Sequence, residues 1–377
     1  MTCACHAARS GGQAQSLLWL PRSRFCGTAA EYAILMAMPL QEDLSRAMTD
    51  HLLRTPTLTR EHLLRNNGAP LDLAWIESVR VNRSAVERRA ATLVTRRTVK
   101  HIWQAAWLLR AITFLDLTTL SGDDTPSNVQ RLCAKARQPV RADLLAALGA
   151  TELPVQVGAV CVYHNLIPAA VEALRGTRIP VAAVSTGFPA AQIPLRLKLE
   201  EIRESVAAGA AEIDVVISRA HVLSGNWQAL YDEVRAFREA CGAAHMKVIL
   251  AVGELGTLRQ VGQASLVAMM AGADFIKTST GKEAVNATLP FGLVMVRAIR
   301  DYYERTGYPV GFKPAGGIRT AKQALEWLIL MKEELGDAWL TPARFRIGAS
   351  ALLTDIERQL SHCVTGRYSA AHRHPMP

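Results

Sequence analysis

From about residue 111 the chain repeats one unit: a short apolar run, a turn rich in Gly, Pro, Ser or Thr, and then apolar residues at helical spacing. The runs fall at 113–117, 159–163, 181–185, 212–217, 247–252, 274–277, 310–313 and 344–347, eight in all. They are continuously apolar rather than alternating, as strands of a parallel sheet covered on both faces are. The stretches between them carry a 3.6-residue stripe. Leu195, Leu199, Ile202 and Val206 share one face, and Trp227, Leu230, Val234 and Phe237 share another, with charges opposite. Eight strand–helix units in about 250 residues fit a closed barrel. A doubly wound open sheet usually has fewer units and a GxGxxG turn after its first strand, and that turn is absent here. The pattern predicts an α/β chain whose residues 111–361 form a (β/α)8 TIM barrel.

Ahead of the barrel, Leu73, Ile76 and Val79 are spaced three apart, and a basic stretch over 84–109 is expected to be helical and to bury Trp103, Ala106 and Trp107. Residues 67–110 are therefore predicted to be a helical extension packed on the barrel. Residues 1–66 end at the turn-like Asn66-Asn67-Gly68-Ala69-Pro70 and lack a sustained period, which predicts a weakly ordered leader. Residues 362–377 read as a flexible polar tail.

Composition narrows the class. With 50% hydrophobic and 20% charged residues the chain is that of a globular protein. The longest stretch without a charged side chain, 153–171, is interrupted by Pro154, His164, Asn165 and Pro168, so no membrane partner is expected. The seven cysteines are odd in number and scattered, with no secretory segment ahead of them, which points to reduced thiols in the cytoplasm. A net charge of +10 would ordinarily suggest nucleic acid. Yet residues 1–110 hold 15 Lys/Arg against 8 Asp/Glu (+7), and residues 111–377 hold 28 against 25 (+3). The excess precedes the barrel, which argues against nucleic acid as its partner. Residues 1–30 have no acid and three arginines, Arg9, Arg22 and Arg24, a composition shared by transit peptides. A mitochondrial leader is thus the alternative to a plain cytoplasmic one. A second class of function, a binding module whose basic N-terminal region engages RNA or an acidic partner, is the competing reading, and the fold is compatible with a homo-oligomer.

In such barrels chemistry lies at the C-terminal strand ends, with phosphate held by the loops after strands 7 and 8. Strand 6 runs into Asp274-Phe275-Ile276-Lys277-Thr278-Ser279-Thr280-Gly281-Lys282 and strand 7 into Gly311-Phe312-Lys313-Pro314-Ala315-Gly316-Gly317. Each delivers a lysine directly after bulky apolar residues. Burial and a neighbouring cation both disfavour the ammonium form, and a neutral amine is the species that attacks a carbonyl to make a Schiff base. Asp214, flanked by β-branched residues in strand 4, can pair with one lysine and pass protons. The residues alone leave open which lysine is the nucleophile, and a purely structural ion pair would satisfy the same pattern. Asp116 and Thr118 end strand 1 and are candidates to bind a substrate hydroxyl; capping the turn at Ser121-Gly122-Asp123-Asp124 is the other role open to Asp116. Gly316, Gly317, Ser350 and nearby Lys282 stand where a phosphate is expected. Neither the ten histidines nor Cys3 and Cys5 are placed as a ligand set, so no metal and no cofactor is expected.

The two lysine motifs, Val285-Asn286-Ala287-Thr288, and the runs over 115–120, 212–216 and 345–350 resemble deoxyribose-phosphate aldolase. The likeness covers about 71–376 and is strongest to animal members, with Trp103-Gln104-Ala105-Ala106-Trp107-Leu108-Leu109 and Val364-Thr365-Gly366-Arg367-Tyr368 included. It implies a metal-free class I aldolase, a lyase of deoxyribose phosphate catabolism, that reversibly cleaves the phosphosugar 2-deoxy-D-ribose 5-phosphate to acetaldehyde and D-glyceraldehyde 3-phosphate. It further implies Lys277 as the Schiff-base lysine, Asp214 and Lys313 as the proton-transfer pair, Lys282, Gly316, Gly317 and Ser350 around the 5-phosphate, and Asp116 and Thr118 on the sugar side. Two positions depart from the family pattern: His164-Asn165 stand where proline often follows strand 2, and Ala351 stands where a second small polar residue is frequent.

Overall fold

The computed structural model describes residues 65–376. Eight strands, β1 (Leu115–Thr118), β2 (Ala159–Val162), β3 (Val181–Ser185), β4 (Glu212–Val216), β5 (His245–Ile249), β6 (Phe275–Lys277), β7 (Gly311–Lys313) and β8 (Ile347–Ala349), pair in parallel in the order β7-β6-β5-β4-β3-β2-β1-β8. The edges meet through the bridges Phe312↔Phe345 and Ala315↔Gly348. Backbone bonds from Phe312 N to Arg344 O (2.9 Å), Arg346 N to Phe312 O (3.1 Å) and Gly348 N to Pro314 O (2.9 Å) complete this seam. Helices separate successive strands, as a parallel crossover requires. The main core lies between sheet and helices. Ala159, Cys161, Ala182 and Val184, from β2 and β3, form a separate small apolar cluster.

The barrel is the one expected, with shifts of detail. Strand 8 was expected at 344–347, but Arg344 sits in a turn closed by its own N–H to Thr341 O (3.0 Å), and pairing with β1 carries the strand on to Ala349. Gly348 and Ala349 are therefore strand residues, not loop. The predicted continuous helix over 84–109 is two helices, Arg83–Arg96 and His101–Thr113. Its break spans Thr98 and Val99, β-branched residues that lose side-chain freedom in a helix. Trp103, expected inside, is 47% exposed. The buried stripe is Ala105, Leu108, Leu109 and Ile112, and two residues from Ala105 is the opposite side of the helix. Leu73 is likewise exposed while Ile76 is buried. The leader, its transit-peptide alternative and Cys3 and Cys5 lie outside the described residues.

Asn66, at the expected end of the leader, is buried under the N-terminal end of the barrel. Its amide Nδ2 donates to Met269 O (2.8 Å) and Ala273 O (2.9 Å), and its N–H to Asp274 Oδ1 (2.9 Å). Asp274 also accepts from Met246 N (2.9 Å) and from Arg238 Nη1 (2.8 Å). One carboxylate thus ties the segment before the first helix to β5, β6 and the helix Trp227–Cys241. At the other terminus the chain runs back along the helix Leu352–Thr365. Arg358 Nε donates to Ser369 O (2.9 Å), and buried His374 lies 3.6 Å from Glu357. Tyr368 packs on His362 with ring centroids 4.6 Å apart and accepts from Gln359 Nε2 (2.8 Å), so it rests on this outer helix. No helix among the described residues is long and apolar enough to cross a membrane.

Because Asp274 is a buried charge with several partners, Asp274→Ala is expected to cost about 3–5 kcal/mol in urea unfolding. A loss below about 1 kcal/mol would show that the N-terminal segment does not depend on it.

Candidate active site

Lys277 and Lys313 are the last residues of β6 and β7 and are direct register partners, while Asp214 lies inside β4. All three are buried. Asp214 Oδ2 accepts from both Lys277 Nζ and Lys313 Nζ at 2.7 Å. The trio singled out in the sequence is therefore one cluster around a single oxygen. The backbone holds it firmly: Leu250 N donates to Lys277 O (3.0 Å), Thr278 N to Lys313 O (3.1 Å), and Ala315 N to Thr278 Oγ1 (3.0 Å).

Three further charged residues share the interior, and reading the sequence did not single them out. Lys247, the register partner of Asp214 on β5, donates to Asp214 Oδ1 (3.0 Å) and Glu212 Oε2 (2.6 Å). Arg346 donates from Nη1 to Asp116 Oδ1 (2.6 Å) and from Nη2 to Glu212 Oε1 (2.9 Å). A usable signal existed: Glu212 and Asp214 are two apart on a strand and so share a face, and Lys247 interrupts an apolar run in the same way.

Counting charges separates the three lysines. Asp116, Glu212 and Asp214 face Lys247, Lys277, Lys313 and Arg346, so full ionisation leaves one positive charge over in a buried interior. Burial, and then the neighbouring Lys313 cation, push the Lys277 amine below the ordinary lysine range against the pull of Asp214. Burial works against charge on Lys313 too, but Asp116 and Asp214 outweigh it and raise that amine. Lys247 is raised in the same way by Asp214, Glu212 and Asp116. Asp214 keeps its charge despite burial because Lys247, Lys277 and Lys313 surround it. Of the three lysines, Lys277 is thus the one whose amine the interior pushes down. Cys161 lies near the same groups, and burial lifts its thiol to about 11, so it stays protonated and uncharged.

Of the other expected residues, Asp116 is buried with its carboxylate on Lys313 and Arg346. The turn it was offered as capping is held instead by Asp124, which accepts from Thr119 Oγ1 (2.7 Å) and Ser121 N (2.8 Å). Thr118 is half-buried, with its hydroxyl on Asp116 O (2.7 Å). Lys282, after β6, is exposed and reaches Leu120 O (3.0 Å) after β1. Gly316 and Gly317 both have left-handed backbones, φ +83° and +82°, and a Cβ on Gly316 would stand 2.7 Å from Asn286 Cβ. Ser350 is exposed just before the helix Leu352–Thr365, whose first turn has no side-chain cap. The helix Ala321–Glu334, by contrast, is already closed by a Thr320–Gln323 capping box and by Asp355 Oδ2 on Ala321 N (2.7 Å). An anion at this rim is therefore left the glycine loop and the later helix start. After β2, where proline was not found, residues 164–166 make a short 3₁₀ turn with His164 Nδ1 2.9 Å from Ser205 Oγ.

A sequence profile described as DeoC/LacD family aldolase matches residues 110–355. The chain is 65% identical over 311 residues to the deoxyribose-phosphate aldolase of Mus musculus, covering 82% of this chain and 98% of that protein. The chain belongs to the deoxyribose-phosphate aldolase family. Solved structures agree on the fold. A putative deoxyribose-phosphate aldolase from Toxoplasma gondii superposes with a TM-score of 0.60 at 20% identity, covering 73% of this chain and all of that one. The tetrameric deoxyribose phosphate aldolase of Aeropyrum pernix gives 0.52 at 22% identity, over 74% and 99% of the two chains.

Gly348 leaves room for the Lys313 side chain. A Cβ there would lie 2.9 Å from Ala315 Cβ and 3.2 Å from Lys313 Cε. Gly348→Ala is expected to lower turnover about tenfold or more by displacing Lys313, while Lys277 still forms adducts with aldehyde. Wild-type turnover would mean that Lys313 tolerates the shift.

Proposed function

We propose that Lys277 cleaves 2-deoxy-D-ribose 5-phosphate reversibly to acetaldehyde and D-glyceraldehyde 3-phosphate through a Schiff base. The observation that carries this reading is the single Asp214 oxygen at 2.7 Å from both amines, one depressed and one raised in pKa. The neutral amine of Lys277 adds to the open-chain aldehyde carbon and water leaves, giving an iminium that acts as an electron sink. Loss of the proton from the C3 hydroxyl then breaks the C2–C3 bond. C3 becomes the carbonyl of glyceraldehyde 3-phosphate, and C1–C2 remain on Lys277 as an enamine. Protonation at C2 and addition of water release acetaldehyde and free the amine.

Asp214 and Lys313 carry these protons, since the shared oxygen touches both nitrogens. Asp116 acts from below by holding Lys313 cationic. Thr118 is left for the sugar side. Lys282, Gly316, Gly317 and Ser350 take the 5-phosphate, aided by the uncapped helix start behind Ser350. The buried thiols of Cys133, Cys161 and Cys241 support a reducing compartment, the cytoplasm. The tetrameric Aeropyrum pernix relative supports a homo-oligomer.

Borohydride added during turnover is expected to fix substrate carbon on Lys277, found by peptide mapping; a label elsewhere overturns the assignment. Lys277→Leu is expected to abolish adduct formation. Lys313→Leu is expected to slow turnover by about 10²–10⁴-fold, the range for a lost proton-transfer group, and near-normal kcat would remove its role.

A further inference from the structure

Below the lysines lies a tier of charge that the scheme above does not use. Arg346, buried at the β7–β8 seam, sends its hydrogen bonds to Asp116 Oδ1 (2.6 Å), Glu212 Oε1 (2.9 Å) and Oε2 (3.3 Å), and from Nε to Pro342 O. Glu212 in turn accepts from Lys247. Lys247 and Asp116 are the two residues that link this tier to Asp214 and Lys313.

We propose that Arg346 and Glu212 are a positioning pair that sets the protonation state of Lys277 by fixing the charge balance of the barrel interior. The proposal rests on Lys277 being the imine-forming amine. The groups facing this tier are Asp116 from β1, Cys161 from β2, Asp214 from β4, His245 and Lys247 from β5, Lys277 from β6 and Lys313 from β7. Cys161 stays a neutral thiol, and burial holds His245 neutral, down to about 4. That leaves three carboxylates against Lys247, Lys313 and Arg346 when Lys277 is neutral. In a medium that screens poorly, each unit of charge in this set is felt by the others over several ångströms. Without the Arg346 charge, a proton on Lys277 restores neutrality, so the amine remains ammonium to higher pH. Without the Glu212 charge the surplus is positive, and Lys277 loses its proton at lower pH. Removing both returns the balance.

The test follows acetaldehyde adduct formation at Lys277, trapped with cyanoborohydride on the full chain and quantified by peptide mass across a pH series. Arg346→Met is expected to raise the midpoint of the rate by about one pH unit and Glu212→Gln to lower it by about one. The double variant should return near wild type, and Arg346→Lys should keep the midpoint even where turnover falls. A merely structural pair would lose rate or thermal stability with the midpoint unmoved in every variant, and that result overturns the proposal. Where a single variant does not fold, Arg346→Lys/Glu212→Gln decides: its midpoint must fall, and an unmoved midpoint again overturns the pair. A wild-type adduct mapped away from Lys277 would instead sink the functional reading.

Discussion

One carboxylate, Asp214, organises the centre of this barrel. Its two oxygens accept from three lysines on β5, β6 and β7 at 2.7–3.0 Å, with none of the four side chains open to bulk water. A buried carboxylate is tolerated only when it is paired and fully hydrogen-bonded, so Asp214 requires its lysines. The lysines in turn compete for too few anions. The competition is unequal, because Lys313 also has Asp116 and Lys247 also has Glu212, whereas Lys277 has only the shared oxygen. Lys277 is therefore set apart from the other two lysines by the poverty of its pairing.

The fold makes this arrangement affordable. Parallel strands place residues of alternate register inside the barrel, and the outer faces bury apolar side chains under helices. The β7–β8 seam has only isolated bridges between its strands, yet it is spanned inside by the ion pair between Lys313 on β7 and Asp116 on β1, and Asp116 is held in turn by Arg346 at the start of β8. At the N-terminal end, Asp274 gathers the N-terminal segment, β5 and a helix onto the start of β6, the strand that ends in Lys277. The strand carrying Lys277 is thus pinned at both ends.

Much of this was legible in the sequence, for a physical reason. Lys277, Lys313 and Asp214 are charges set within apolar runs, and such residues can be buried only with partners. The eight-unit repeat gave the barrel count and hence the strand ends where chemistry belongs. Glu212, Lys247 and Arg346 were passed over. For the first two the two-residue period of a strand contained the information. For Arg346 it did not, because the strand begins later than its apolar run suggests, and register with β1 decides that. Neither the break at Thr98-Val99 nor the outward face of Trp103 follows from the helical period, since an apolar tryptophan satisfies the pattern from either side. Ranking the two lysines needed the family likeness at first, and afterwards the unequal number of acids around each.

The central claim is that the interior lowers the pKa of the Lys277 amine while it raises those of Lys247 and Lys313. The direct measurement is the pH dependence of amine modification at each of the three lysines in the folded protein, resolved by peptide mass. The account predicts that Lys277 becomes reactive at a pH below the ordinary lysine range, with Lys247 and Lys313 protected throughout. Reactivity of Lys277 at or above the ordinary lysine pKa, or of Lys313 before Lys277, would contradict it.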